Sequence, residues 1–235
     1  MVKVSFTQDY VVLEGERFFV KKIGSIFTLE LCYLNIRDIV NIDRFELIRS
    51  LDLLDLSYNN IAEIKGLGKL ENLSELRLEG NKIVNIQGLE KLTSLQYLYL
   101  KGNQITEIKG LETLTDLMDL DLSENKIREI KGLENLEKLH ILNLEGNELT
   151  EISGLSNLKS LGSLDLNCNH ITELKGLENL NNLYEILLEG RNLPPEVLKQ
   201  IVDENIIILG TNEHPIDAKK AVRYCQKNKN SSIIS

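Results

Sequence analysis

Tryptophan is absent from this chain of 235 residues, aromatic residues make up only 5% of it, and its 3 prolines all follow residue 193. A globule of this length ordinarily buries more aromatic bulk, so its interior must be built from aliphatic side chains. Three cysteines, Cys32, Cys168 and Cys225, are too few for a disulfide framework and fit a reducing compartment. Long apolar runs are missing too. The longest are of the Ile206–Leu209 kind, far short of the roughly 18 residues that a spanning helix needs. The first twenty residues carry no apolar core followed by a small-residue cleavage site. The expectation is a cytoplasmic chain that does not enter a membrane. Positive charge is also short: 27 Lys and Arg face 36 Asp and Glu, a net charge of -9. Phosphate backbones need clustered cations, so no nucleic-acid partner is expected.

Catalytic signatures are missing as well. There is no phosphate-binding loop, dinucleotide fingerprint or zinc motif. His140, His170 and His214 share no metal-ligand spacing, and no Ser or Cys nucleophile falls beside His140. The chain is expected to be no enzyme, with no cofactor and no metal.

What is present is a period. Asn59, Asn81, Asn103, Asn125, Asn147 and Asn169 recur every 22 residues. Written in lines of 22 from Leu29, the chain aligns without a gap through the line that begins at Leu183, eight copies in all. One line reads Leu73-x-x-Leu76-x-Leu78-x-x-Asn81-x-Ile83-x-x-Ile86-x-Gly88-Leu89-x-x-Leu92. A period of 20–29 residues with this pattern demands stacked coils, because no single coil can bury its own seven apolar positions. Leu76 and Leu78, two apart, face one side of a short strand, and strands from successive coils pair in parallel. The Asn amide, with donors and an acceptor, satisfies backbone groups where the chain leaves the strand. Gly66, Gly88, Gly110, Gly132, Gly154 and Gly176 mark a turn with positive φ or close coil-to-coil approach. The Leu-x-x-Leu segment after each suits a short, partly 3₁₀ helix on the convex back. The predicted fold is therefore α/β: a right-handed solenoid in an arc or horseshoe, with a concave parallel sheet of about eight strands and short 3₁₀ or helical convex segments.

The ends depart from the rule. In the gapless frame Arg37 and Arg191 take the Asn position, Cys32 falls where other lines have Leu, and Phe45 replaces a Leu. Residues 1–28 alternate apolar and polar residues (Val2, Val4, Phe6; Phe18, Val20) around Leu13-Glu14-Gly15-Glu16 and predict a hairpin-like N-terminal cap. The solenoid proper is expected over 29–193. A helical cap and basic tail follow over 194–235, with Pro194-Pro195 ending the coil and helical spacing at Val197–Val202 and again over 217–228.

Residues 29–193 resemble the 22-residue class of leucine-rich repeats, similar to the nuclear regulatory subunit of protein phosphatase 1, bacterial internalins and an axonemal dynein light chain. The resemblance implies a horseshoe without catalytic activity that binds protein ligands on its concave face. Internalins are exported, whereas no leader is read here, and the end cap of the phosphatase regulators is not found after Leu193.

Under that implication the candidate binding residues are those flanking the strand leucines. The middle column reads Tyr33, Asp55, Arg77, Tyr99, Asp121, Asn143, Asp165 and Leu187, with Leu31 and Asn35 flanking Tyr33. Tyr97, Lys101 and Asp119 lie beside it. Tyr and Arg dominate interface hot spots, so Arg77, Tyr97, Tyr99 and Lys101 beside Asp119 and Asp121 form the leading cluster. Asp119, Asp121, Glu145 and Asp165 add an acidic patch suited to a basic partner segment. The recurring Glu63, Glu107, Glu129, Glu151 and Glu173, each with a Lys two residues on except at Glu151, read as surface pairs of little energetic weight. The expectation is a monomeric scaffold for a protein ligand. A regulatory subunit of a signalling enzyme and a self-associating structural protein are the alternatives.

Overall fold

The computed structural model describes residues 4–48, 50–188, 193–195 and 217–228. Its strands are β1 (Val4–Leu13), β2 (Glu16–Ile23), β3 (Ile26–Glu30), β4 (Leu53–Asp55), β5 (Glu75–Arg77), β6 (Tyr97–Tyr99), β7 (Asp119–Asp121), β8 (Ile141–Asn143), β9 (Ser163–Asp165) and β10 (Glu185–Leu187). They form one ten-stranded sheet in chain order. β1, β2 and β3 pair antiparallel, and every pairing from β3 to β10 is parallel.

The short strands follow from the alternation of side chains. The central residue of each, a leucine such as Leu76, Leu98 or Leu120 in all but β10, where it is Ile186, is buried, and its neighbours on either side emerge on the concave face. Burying one such leucine contributes about 1.5–3 kcal/mol, and the buried leucines and isoleucines of successive coils form one continuous core. After β4, each convex back is a pair of linked turns rather than a helix. In the coil of β4, the Leu70 N–H donates to Leu67 O and the Leu73 N–H to Leu70 O, both at 2.9 Å. Named 3₁₀ turns occur only in the first coil among the described residues, at Ile39–Asn41 and Phe45–Leu47.

The asparagines tie neighbouring coils together. Asn103 Nδ2 donates to Leu100 O of its own coil at 2.9 Å and to Leu78 O of the preceding coil at 3.0 Å. Its Oδ1 accepts from the Ile83 N–H at 3.0 Å. The pattern repeats from Asn81 to Asn169. The glycine ladder is required by both φ and space. Gly110 has φ +90, and a Cβ there would lie 2.1 Å from Ile86 O.

A third ladder precedes the asparagines. Tyr33, Tyr58, Gly80, Gly102, Glu124, Gly146 and Cys168 all have φ between 53 and 67. Non-glycine residues pay about 1–2 kcal/mol for that left-handed conformation.

The gapless frame fails in the first coil. Glu30 pairs with Asp55 and Leu29 with Leu54, a spacing of 25 residues, whereas β4 onward keeps 22. Leu34, not Arg37, holds the asparagine position: the Leu34 and Ile36 N–H groups both donate to Asn59 Oδ1 at 3.0 Å. The three extra residues lie between Phe45 and Leu54. There Ile48 and Leu51 are both buried, where the next coil has Leu73 alone. A slip of three is invisible to a pattern whose leucines are themselves three apart. Cys32 consequently aligns with Ser57 rather than with a core leucine, and is half-buried. Arg191 and the helical spacing at Val197–Val202 lie outside the described residues.

At the N-terminal end, β1 reaches across the first coil. The Val12 N–H donates to Asp43 O and the Asp43 N–H to Val12 O, at 3.0 and 2.9 Å. At the other end, helix α1 (Ala218–Asn228) lays Ala218, Ala221, Val222 and Cys225 against the last coils. Cys225 Sγ lies 3.5 Å from Leu174 O, and Gln226 Nε2 donates to Glu178 O at 3.0 Å. Burial pushes the Cys225 thiol up to about 11, which keeps it protonated and unreactive.

Candidate functional site

Parallel pairing in strict register sets concave side chains in columns about 5 Å apart. One column runs Leu53, Glu75, Tyr97, Asp119, Ile141, Ser163 and Glu185, and the next runs Asp55, Arg77, Tyr99, Asp121, Asn143, Asp165 and Leu187. Asp55, Arg77, Tyr97, Tyr99, Asp119, Asp121, Asn143 and Asp165 therefore share one sheet face. Lys101 falls just beyond the strand carrying Tyr97 and Tyr99.

Tyr33 does not join them. The 25-residue first coil gives Glu30 the place beside Asp55 and sets Tyr33 beyond the strand end, 70% exposed. Leu31 is fully buried in the core, and Asn35 lies past the strand at φ 57. Tyr33 stacks instead on Tyr58, with ring centroids 4.7 Å apart and planes within 6°. Tyr58 in turn covers Gly80, where a Cβ would meet its ring at 2.6 Å. Tyr58 belongs to none of the strand columns that the repeat defines; it precedes Asn59 at the position where three later coils have glycine.

Four members of the middle column have a structural duty. Oδ1 of Asp55, Asp121, Asn143 and Asp165 each accepts the N–H two residues on, at 2.8–3.0 Å. These side chains close the strand end, a turn that Asp and Asn favour. Arg77 and Tyr99 occupy the same column and make different contacts. The Arg77 guanidinium pairs with Glu75 at 2.5 Å and lies 5.8 Å from the Tyr99 ring centre. Tyr99 donates to Asp119 Oδ2 at 3.4 Å. Glu75, Arg77, Tyr99 and Asp119 thus form one chain of contacts over three strands. Burial, then the Asp119 charge, pushes the Tyr99 hydroxyl up to about 12. Burial likewise raises the carboxyl of Asp119, and burial with the neighbouring Glu145 and Asp121 raises that of Asp165.

Among the described residues of this face carboxylates outnumber cations, and Arg77 and Lys101 are already engaged, Arg77 with Glu75 and Lys101 with Glu124 at 3.0 Å. Among the described residues, no group of three or more His, Cys, Asp or Glu side chains can hold a metal ion. Glu63, Glu107, Glu129 and Glu173 each pair with the lysine two residues on, at well-exposed positions. A cleft of about 760 Å³ lies between two of these pairs, Glu107–Lys109 and Glu129–Lys131. A similar one of about 460 Å³ is lined by Glu63, Lys65 and Gln87. These are grooves that the coil repeat generates, not a distinct site. No helix among the described residues is long and apolar enough to cross a membrane.

The family described as leucine-rich repeats in two copies matches residues 49–91, 93–135 and 119–157. Among solved structures, an internalin (InlF) of Listeria monocytogenes is similar at 29% identity and a TM-score of 0.64, over 76% of this chain and 50% of that one. Internalin C2 of the same species is similar at 28% identity and a TM-score of 0.61, over 71% of this chain and 77% of that one. A leucine-rich-repeat protein of Leptospira interrogans aligns at 28% identity and a TM-score of 0.56, over 63% of this chain and 39% of that one. The chain thus spans half the length of the first internalin. No curated protein sequence matches it. The chain is a leucine-rich-repeat protein.

Proposed function

We propose that this chain is a non-catalytic protein-interaction module that takes its partner on the concave face, with Arg77, Tyr97 and Tyr99 as central anchors and Lys101, Asp119 and Asp121 around them. Leucine-rich repeats and the internalin likeness support a protein ligand. The observation that carries the site is a contrast within one column. Asp55, Asp121, Asn143 and Asp165 close their own strands, whereas Arg77 and Tyr99 give up that backbone bond and hold each other in place across the sheet. Rotamers fixed before binding lose little entropy when a partner arrives. The same column makes Asp55, Asp121, Asn143 and Asp165 framework first and contact residues second.

Replacing Tyr97 and Tyr99 together by Ala in the full chain tests the assignment. Partner proteins captured by the wild-type chain are expected to be lost, while the far-ultraviolet circular dichroism stays that of the wild type. Undiminished capture of every partner by the double variant refutes the anchors.

A further inference from the structure

Tyr33 and Tyr58 lie outside the hydrophobic core. Both adopt left-handed backbone, φ 60 and 56, at a position that Gly80, Gly102 and Gly146 fill in other coils and that Glu124 and Cys168 fill in two more. Both are exposed, at 70% and 53%, so neither strain nor exposure is repaid by core burial. Their rings stack face to face on Gly80, leaving a flat aromatic surface at the rim that follows the strands. Strain retained at an exposed position points to a use outside the fold.

The charge beside the stack says what fits it. Asp55 closes the strand end that leads to Tyr58: its Oδ1 accepts from the Ser57 N–H at 2.9 Å, and Ser57 O accepts from the Tyr33 N–H at 3.2 Å. Glu79 lies one strand further on, against the Ser57 hydroxyl. Among the described residues, Lys21 and Arg77 near this corner are engaged, with Glu30 and Glu75. A flat π face with carboxylates beside it suits a planar cation that stacks and donates hydrogen bonds at once.

Resting on the reading that this side of the molecule recruits a protein, we propose that the Tyr33–Tyr58 stack, with Asp55, seats an arginine side chain of a basic partner segment. The guanidinium lies over the aromatic surface and its N–H groups turn to the carboxylate of Asp55.

The test uses the full chain and a labelled peptide of alternating glycine and arginine, with its lysine counterpart, at near-physiological salt. The arginine peptide is expected to bind about tenfold more tightly than the lysine one. Tyr33→Gly and Tyr58→Gly are each expected to weaken it about tenfold while leaving the melting midpoint unchanged or a few degrees higher. Asp55→Asn, which keeps the acceptor for the Ser57 N–H, should weaken it as well. Equal binding of the two peptides overturns the proposal, as does unchanged affinity in the glycine variants. A midpoint several degrees lower in those variants also overturns it, because the tyrosines would then serve the fold. Binding of a neutral oligosaccharide such as maltohexaose, lost in Tyr33→Gly while the arginine peptide fails to bind, assigns the stack to sugar and refutes arginine. The Tyr97→Ala, Tyr99→Ala protein separates the two assignments. If it loses the peptide while the rim variants keep it, the rim is refuted and the central anchors stand. The reverse pattern supports the rim and refutes the centre as the seat of the basic segment.

Discussion

Asn103 offers the sharpest test of how the coils hold together. Truncation to Ala removes three buried bonds, yet two of the groups left behind keep a partner. Leu78 O still accepts from Asn81 Nδ2 at 3.0 Å, and Leu100 O from Asn125 Nδ2 at 3.1 Å. The Ile83 N–H is the group that loses its acceptor, so Asn103→Ala should cost about 1–3 kcal/mol, the penalty of one buried unpaired donor. Asn103→Asp is nearly the same shape and keeps that acceptor, but is expected to be worse at neutral pH. Its second oxygen would face Leu78 O and Leu100 O with no proton to offer, a buried charge without a partner, at about 3–5 kcal/mol. The folded state then holds the carboxyl protonated more tightly than the unfolded chain does. A group with a raised folded pKa contributes its stability below the unfolded value, about 4, and loses it as pH rises through the folded one. Urea unfolding of wild type, Asn103→Ala and Asn103→Asp at several pH values, followed by circular dichroism, measures the differences at each pH. The Asp penalty should shrink towards pH 4 while the Ala penalty stays level. An Asp variant milder than Ala at pH 7, or a penalty flat with pH, refutes the ladder as the donor to both carbonyls.

Two further outcomes follow from the same geometry. Gly110→Ala should be severely destabilising, because a Cβ 2.1 Å from Ile86 O forces the coils apart, whereas Gly66→Ala meets only Val40 at 3.4 Å and should show the conformational strain alone, about 1–2 kcal/mol. Thermal melts that rank the two equally would contradict this. Asp165→Asn should raise stability at neutral pH, since burial disfavours the Asp165 carboxylate and Asn143 already performs the same turn closure one coil earlier. The gain should fade below about pH 4, where both states of Asp165 are protonated, and a gain independent of pH in urea titrations would argue against it.

The period by itself determined a great deal: the parallel sheet, the inward leucines, the asparagine and glycine ladders, and the columns from Leu53 to Glu185 and from Asp55 to Leu187. All of these are local consequences of residues repeated at fixed spacing, so one coil read correctly gives the rest. Tertiary structure decided what does not repeat. The first coil is 25 residues long because Ile48 and Leu51 both fit its convex back, and no residue there marks the register as Asn59 does in the next coil. Hence Tyr33 stands beyond its strand, and its partner Tyr58 became visible only once the left-handed row was placed in space. The Asp and Asn side chains of the middle column read as binding groups in the sequence, which displays their charge and polarity but not the backbone N–H that each closes. Spacing fixes which residues share a face; only packing fixes which of them are already occupied.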